Sequence, residues 1–182
     1  MHEHTIDVSD ALPGQLFSGI AQTLTERRDA KRQSMTERVG ITADLVNSHN
    51  RPAIVWCHLN DESKALAQAI PDAVEVTGSM TADEKERAIM AFTHGEKRVI
   101  VTKPSIAGFG MNWQHCADMV FAGLDDSFES FYQAVRRCYR FGQEKIVNVH
   151  LVSSSAEGAV KANLERKQAQ ANDMAESMVS HM

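Results

Sequence analysis

Two arginines and a glutamine at helical spacing are the first residues in this chain whose types and positions suggest chemistry. The stretch Gln133-Ala134-Val135-Arg136-Arg137-Cys138-Tyr139-Arg140-Phe141-Gly142-Gln143 reads as a helix ending near Gly142. Gln133, Arg137 and Arg140 then stand at i, i+4 and i+7 on one face, while Val135 and Cys138 turn toward a core. Like charges at that spacing repel, so the pair is a poor choice for an inert surface. It suits a phosphate, because each guanidinium fork can give two hydrogen bonds to phosphate oxygens. A solvated basic helix face is the plainer alternative, and spacing alone does not separate the two.

A second candidate is the loop Thr102-Lys103-Pro104-Ser105-Ile106-Ala107-Gly108-Phe109-Gly110-Met111-Asn112-Trp113. Glycines one residue apart let backbone approach a ligand and expose N–H groups to an anion. Lys103 and Ser105 add a charge and a hydroxyl. An ordinary turn would look the same if this Gly-x-Gly stood alone.

These residues need a frame, and the pattern from Pro52 onward supplies one. Ala53–Cys57, Ala73–Val76, Arg98–Val101, Asp118–Ala122 and Ile146–Val152 read as short apolar strands. Helices fall between them, one opening at Asp61-Glu62-Ser63, with Asp61 as its cap, and one at Thr81 with Glu84 as a capping box. Alternation of this kind predicts a parallel sheet covered on both faces, with ligand sites at the carboxyl ends of its strands. The Gly108–Gly110 loop lies at one such end. Residues 1–50 read as a helical extension or linker, with Leu16, Ile20 and Leu24 periodic and a short helix through Val39, Ile41, Leu45 and Val46. The charged run 26–32, which includes Arg28 and Arg32, reads as a solvated face. Residues 51–155 form the α/β body, and 156–182 a terminal helix on which Met174, Met178 and Met182 make an apolar stripe.

Composition narrows the classes. The chain has 182 residues, 43% of them apolar, and a net charge of -5. That fits one globular domain and argues against a wholly basic nucleic-acid coat, while allowing a local basic patch. No apolar run reaches membrane-spanning length, and Met1-His2-Glu3-His4 does not resemble a signal peptide. That terminus reads as frayed and polar rather than as a metal ligand pair. Cys57, Cys116 and Cys138 are scattered and lack a Cys-x-x-Cys pair, so no metal site is expected, and buried reduced thiols in a cytoplasmic protein are.

The order of blocks resembles a known family. It runs from a strand with Cys57-His58 through Thr77-Gly78-Ser79, then Arg87 and Phe92 on a helix. It continues through Gly108-Phe109-Gly110-Met111-Asn112 to Gln133-x3-Arg137-x2-Arg140-x-Gly142-Gln143. This is similar to the second RecA-like lobe of superfamily 2 helicases, the Swi/Snf-like DNA-dependent ATPases in particular, in their short phage or prophage branch. The resemblance covers roughly Ile41 to Val152. It implies that Arg137 and Arg140 are the motif VI arginines, one or both reaching the ATP γ-phosphate as arginine fingers. It implies that Gln133, Gly110 and Asn112 line the nucleotide side of the cleft. His58, Gly78, Ser79, Lys103 and Ser105 would lie along the nucleic-acid backbone, that of duplex DNA. The chain departs from the family at Lys103-Pro104-Ser105-Ile106-Ala107-Gly108, where Ser-Thr-Arg-Ala-Gly-Gly is common. It departs again at Asp126, where Trp is usual.

No glycine here is followed by lysine, so the chain has no P-loop. Asp61-Glu62-Ser63-Lys64 imitates a magnesium-binding box but does not follow its strand directly. The resemblance therefore implies half of an ATPase site, with ATP and Mg2+ held mainly by an N-terminal RecA-like lobe in the same or another chain. It places the motor in the cytoplasm of a bacterial or phage-infected cell. The competing reading is a non-catalytic nucleic-acid- or partner-binding module on the same fold. Trp56, in mid-strand, reads as core. Trp113 reads equally as core or as a base-stacking platform.

Overall fold

Runs of β-branched and aromatic residues build the centre of this molecule. The computed structural model describes residues 1–6, 32, 34–107, 111–125, 127–157, 160–163, 165–167 and 169–170. In chain order the elements are β1 (His2–Ile6), α1 (Met35–Asn47), β2 (Ala53–Trp56), α2 (Asn60–Ala69) and β3 (Ala73–Val76). Then come α3 (Ala82–Thr93), β4 (Val99–Thr102), α4 (Pro104–Ala107), β5 (Asp118–Ala122), α5 (Phe128–Val135) and β6 (Asn148–Ser154). The six strands form one sheet in the order β1-β6-β5-β2-β4-β3, and every pairing is parallel. All carboxyl ends therefore share one edge, as the alternating pattern predicts.

Both faces of the sheet are covered. On one, Ile54, Trp56, Ile100, Met119, Phe121 and Leu151 pack with Phe92 of α3 and Ala134 of α5. On the other, Val55, Val99, Val101, Val120 and Val152 pack with Ala43 and Val46 of α1 and Leu66 of α2. β2, β4 and β5 are buried along their whole length, which is why their sequences are continuous apolar runs without alternation.

Local sequence explains several element ends. Thr81 Oγ1 accepts from the Glu84 amide at 3.3 Å and the Glu84 carboxylate accepts from the Thr81 amide at 2.8 Å, so the capping box is present. The Arg98 guanidinium donates to the carbonyls of Val46 at 3.1 Å and His49 at 3.2 Å, closing the carboxyl end of α1. At α2 the N-cap is Leu59, not Asp61; Asp61 and Glu62 occupy the first turn, where carboxylates face the helix dipole favourably.

Other expectations need correction. Residues 2–6 are neither helical nor frayed: they pair in register with His150–Ser154. Alternation is the reason, since Ile6 is buried in the core while His4 and His2, two and four residues earlier, share its face. Nor is α1 peripheral, because it buries Arg38, Thr42, Ala43 and Val46 against the sheet and α2. β4 and β6 start one and two residues later than their sequence patterns suggest. Trp56 and Trp113 are both fully buried. The Trp113 indole N–H donates to Thr93 Oγ1 at 3.0 Å and its ring meets Phe92 edge-on, so Trp113 is core and not a stacking platform. Helical residues follow a 3-10 turn at Ser155–Glu157 from position 160, with Val160 in the core. The periodicity at Leu16, Ile20 and Leu24, the run 26–32 apart from Arg32, and the stripe at Met174, Met178 and Met182 lie outside the described residues.

Candidate functional site

Three strands that are neighbours in the sheet, β2, β4 and β3, end at His58, Lys103 and Thr77-Gly78-Ser79. Parallel pairing thus sets His58, Gly78, Ser79, Lys103 and Ser105 along one edge, as their sequence positions suggest. Lys103 extends its ammonium to Asn60 Oδ1 at 2.6 Å, a neutral partner that fixes the side chain and leaves its charge uncancelled. Ser105 is exposed on α4. The Ser79 hydroxyl lies 3.0 Å from that of Thr77, and Lys85 donates to the Gly78 carbonyl at 3.0 Å. A Cβ at Gly78 would meet nothing within 4 Å, so the space above it is open. Cys57, beside His58, is buried, and that burial pushes its thiol up to about 12, which removes it as a nucleophile.

The His58 side chain faces Asp125 at 3.9 Å across a shallow depression that Phe121, Leu124, Ser127 and Phe131 also line. Its backbone is held from beneath. The His58 amide donates to Glu62 Oε2 at 3.3 Å, and Glu62 Oε1 accepts from Arg38 Nε at 2.9 Å. Arg38 is fully buried and Glu62 nearly so, and a second Arg38 nitrogen reaches the Ser34 hydroxyl. Gly123, with φ at +84°, passes over this guanidinium; a Cβ there would sit 3.5 Å from Arg38 Nε and 3.6 Å from Glu157 Oε1. The carboxyl ends of β2 and β5 thus rest on one buried charged group. Sequence reasoning missed Arg38, because a single arginine on an amphipathic helix carries no sign of burial.

The arginine segment differs from its expected form. α5 ends at Val135, and 136–142 continues as tight turns. The Arg137 and Cys138 amides reach back three residues, to Ala134 and Val135, and Gly142 takes φ +89°. Arg137 and Arg140 therefore do not share a helix face. Arg137 folds inward, 7% exposed. It donates to the carbonyls of Gln133 and Met111, each at 3.1 Å, and its pKa is lowered first by burial and then by Arg140. Arg140 is exposed. Gln133 and Arg137 do meet, and Cys138 is fully buried as expected.

This segment is bolted to the end of the Gly-x-Gly loop. The Trp113 amide donates to the Arg137 carbonyl at 3.0 Å, and the Gln114 amide group reaches the Phe141 carbonyl. Gln143 Nε2 lies within bonding distance of three carbonyls, those of Gln114 (3.0 Å), Cys138 (3.1 Å) and Cys116 (3.2 Å). Asn112 is exposed beside this junction; Gly108, Gly110 and Asp126 lie outside the described residues. Gln143 is the last residue of the motif, and its position in that motif was the only sign of its role as a clamp.

The helicase conserved C-terminal domain family matches residues 37–142, more than half of the chain. This chain belongs to that family. As a helicase C-terminal domain it is similar, at 26% identity over 120 residues, to the TATA-binding protein-associated factor mot1 of Schizosaccharomyces pombe. The match covers 61% of this chain and 6% of that relative. The mot1 of Aspergillus fumigatus is similar at 25% identity, over 59% of this chain and again 6% of the relative. Among solved structures, the C-terminal part of the Fun30 ATPase domain superposes with a TM-score of 0.60 at 14% identity, covering 71% of this chain and 44% of that one. The C-terminal domain of the DEAD-box protein Dbp5 gives 0.63 at 13% identity, covering 74% and 80%. Dbp5 from S. cerevisiae bound to RNA and ADP BeF3 gives 0.64 at 14% identity, covering 72% and 36%. The fold is the second RecA-like lobe of superfamily 2 helicases, as the sequence resemblance implies. No described helix is long and apolar enough to cross a membrane.

Proposed function

We propose that this lobe is the C-terminal half of a Swi/Snf-like, DNA-dependent ATPase or helicase motor, working in the cytoplasm of a bacterial or phage-infected cell. The observation that carries this reading is the junction just described: residues 111–114 and 133–143 are locked together while Arg140 is left exposed. A guanidinium on a fixed turn with no side-chain hydrogen bond or ion pair among the described residues is suited to meet a phosphate on a second body. ATP with Mg2+, held mainly by a first, P-loop-bearing lobe, supplies the phosphoanhydride whose cleavage drives the cycle. Arg140 donates to the terminal phosphate oxygens as that cleft closes. Arg137 positions the turn from within, through Met111 and Gln133. Gln133, Asn112 and Gly110 border the nucleotide. His58, Gly78, Ser79, Lys103 and Ser105 hold the backbone of DNA, and closing and reopening of the cleft shifts that grip. The Dbp5 structure bound to RNA and a nucleotide analogue supports a nucleic-acid role for a lobe of this fold.

The reading is tested by ATPase assays of the chain alone and mixed with its first lobe, each with and without DNA. The chain alone is expected to turn over no ATP, because most phosphate contacts belong to the P-loop lobe. The mixture is expected to show DNA-stimulated turnover. Hydrolysis by the purified chain, abolished by Arg140→Ala, would overturn the division of labour.

Binding of DNA by the isolated lobe is expected to be weak and insensitive to sequence. The chain carries a net charge of -5, and Lys103 is the one permanent cation among the assigned contacts. The dependence of log K on log salt should therefore have a slope of about one or less, since each neutralised phosphate contributes roughly 0.9. Lys103→Ala should weaken binding to all sequences alike and flatten the slope further. If Arg28→Ala with Arg32→Ala abolishes binding and Lys103→Ala does not, the strand-end assignment fails.

A further inference from the structure

At the far edge of the sheet three histidines converge. His2 and His4 are two residues apart on β1 and share a face; His150 stands directly opposite His2 on β6. The His2 and His150 rings stack with centroids 4.8 Å apart, and those of His4 and His150 at 5.4 Å. His4 Nε2 and His150 Nδ1 are 3.2 Å apart, a hydrogen bond in which one imidazole nitrogen must be an unprotonated acceptor. Ile6 is the one β1 residue in the core. A five-residue edge strand with so little buried area sits at the low end of local stability, so the imidazole contacts are a large share of what docks it.

We propose that the His2, His4 and His150 cluster forms a proton-operated latch on the edge strand: neutral His150 holds β1 against β6, and its protonation releases the strand. Charging the acceptor nitrogen sets two donors against each other and puts like charges on stacked rings. Among the described residues, the surroundings do not offset this. Asp118 of β5 is the nearby carboxylate, but it already takes both forks of Arg51, at 2.7 and 3.1 Å, and the Asn148 amide at 3.0 Å. His49, after α1, adds another imidazole on the same side, its own pKa lowered first by burial and then by Arg51. Glu3 is paired with Lys161. Burial first, then His2 and His4, hold His150 below the ordinary imidazole value, and this outweighs the opposite pull of Asp118. The sign follows: the docked strand binds fewer protons than the released one, so docking is complete above about pH 6.5 and lost as pH falls below it.

The test is amide hydrogen exchange of the full chain between pH 7.5 and 5.5, each rate corrected for intrinsic exchange at its pH. Protection of residues 2–6 is expected to fall several-fold, and by at most about ten-fold per imidazole, because the ordinary value of about 6.5 lies one pH unit above 5.5. Protection in β2 and β4 should hold. In a His2→Gln, His4→Gln, His150→Gln variant the pH dependence in β1 should vanish. Unchanged β1 protection in the wild-type chain would overturn the latch, as would the same fall in the variant. If the variant fails to dock β1 even at pH 7.5, the wild-type chain decides. A midpoint for β1 loss that matches the NMR titration of the His150 ring supports the latch, and separate midpoints refute it.

Discussion

Arg140→Ala in the proposed two-lobe motor is expected to lower kcat by about a thousand-fold or more, the range over which an arginine finger acts. Thermal stability should be almost untouched, because exposed-surface changes usually move it by about 0.5 kcal/mol or less. Arg140 is exposed, and its backbone, not its side chain, carries the hydrogen bonds of the turn. Arg137→Ala should behave differently. That guanidinium is 7% exposed and donates to two carbonyls, so its loss strands partly buried acceptors at a cost of about 1 kcal/mol. Turnover should fall too, through a loosened turn. Steady-state kinetics and melting curves on both variants separate the roles. Wild-type turnover by folded Arg140→Ala protein would remove Arg140 from the chemistry and leave the segment a structural clamp.

This contrast between neighbouring arginines was not legible in the sequence. A periodic reading puts Gln133, Arg137 and Arg140 on one helix face, and it fails because the helix stops at Val135. The stop depends on partners that lie well away along the chain, the carbonyl of Met111 and the side chain of Gln114. Spacing within a segment carries no information about them. The sheet was legible for the opposite reason. Ala53–Trp56, Val99–Thr102 and Asp118–Ala122 are buried on both faces, and continuous apolar runs announce that directly. So does the edge that gathers His58, Gly78 and Lys103, since parallel pairing places every strand's end on the same side. β1 was hidden because its outer residues are polar and only Ile6 reaches the core. Trp113 could not be assigned until Thr93 and Phe92 were seen against it.

The largest effect on stability is expected at Glu62. Glu62 and Arg38 are at most 1% exposed, with Oε1 2.7 Å from one guanidinium nitrogen and 2.9 Å from another. Removing one member of a buried ion pair typically costs about 3–5 kcal/mol, because the other charge stays desolvated. The Glu157 carboxylate approaches the same Gly123 position as Arg38, so the cost should fall near the lower end, about 3 kcal/mol. For a chain of this length that is a drop in Tm of about 6–12 °C for Glu62→Gln. The effect should reach function, because Glu62 Oε2 also holds the His58 amide at the strand-end edge. The folded fraction of Glu62→Gln should therefore bind DNA more weakly, while a stability-only role would leave that affinity alone. Glu62→Leu combined with Arg38→Met should recover only part of the lost stability, since apolar replacement of a buried pair is often neutral or better but here leaves the buried Glu157 carboxylate without the guanidinium beside it. It should not recover the His58 contact. A Tm for Glu62→Gln within 2 °C of wild type (about 0.5–1 kcal/mol for a chain of this length) would show that the pair does not support the carboxyl ends of β2 and β5. Full restoration of DNA affinity by the double variant would show that the His58 loop is set without it.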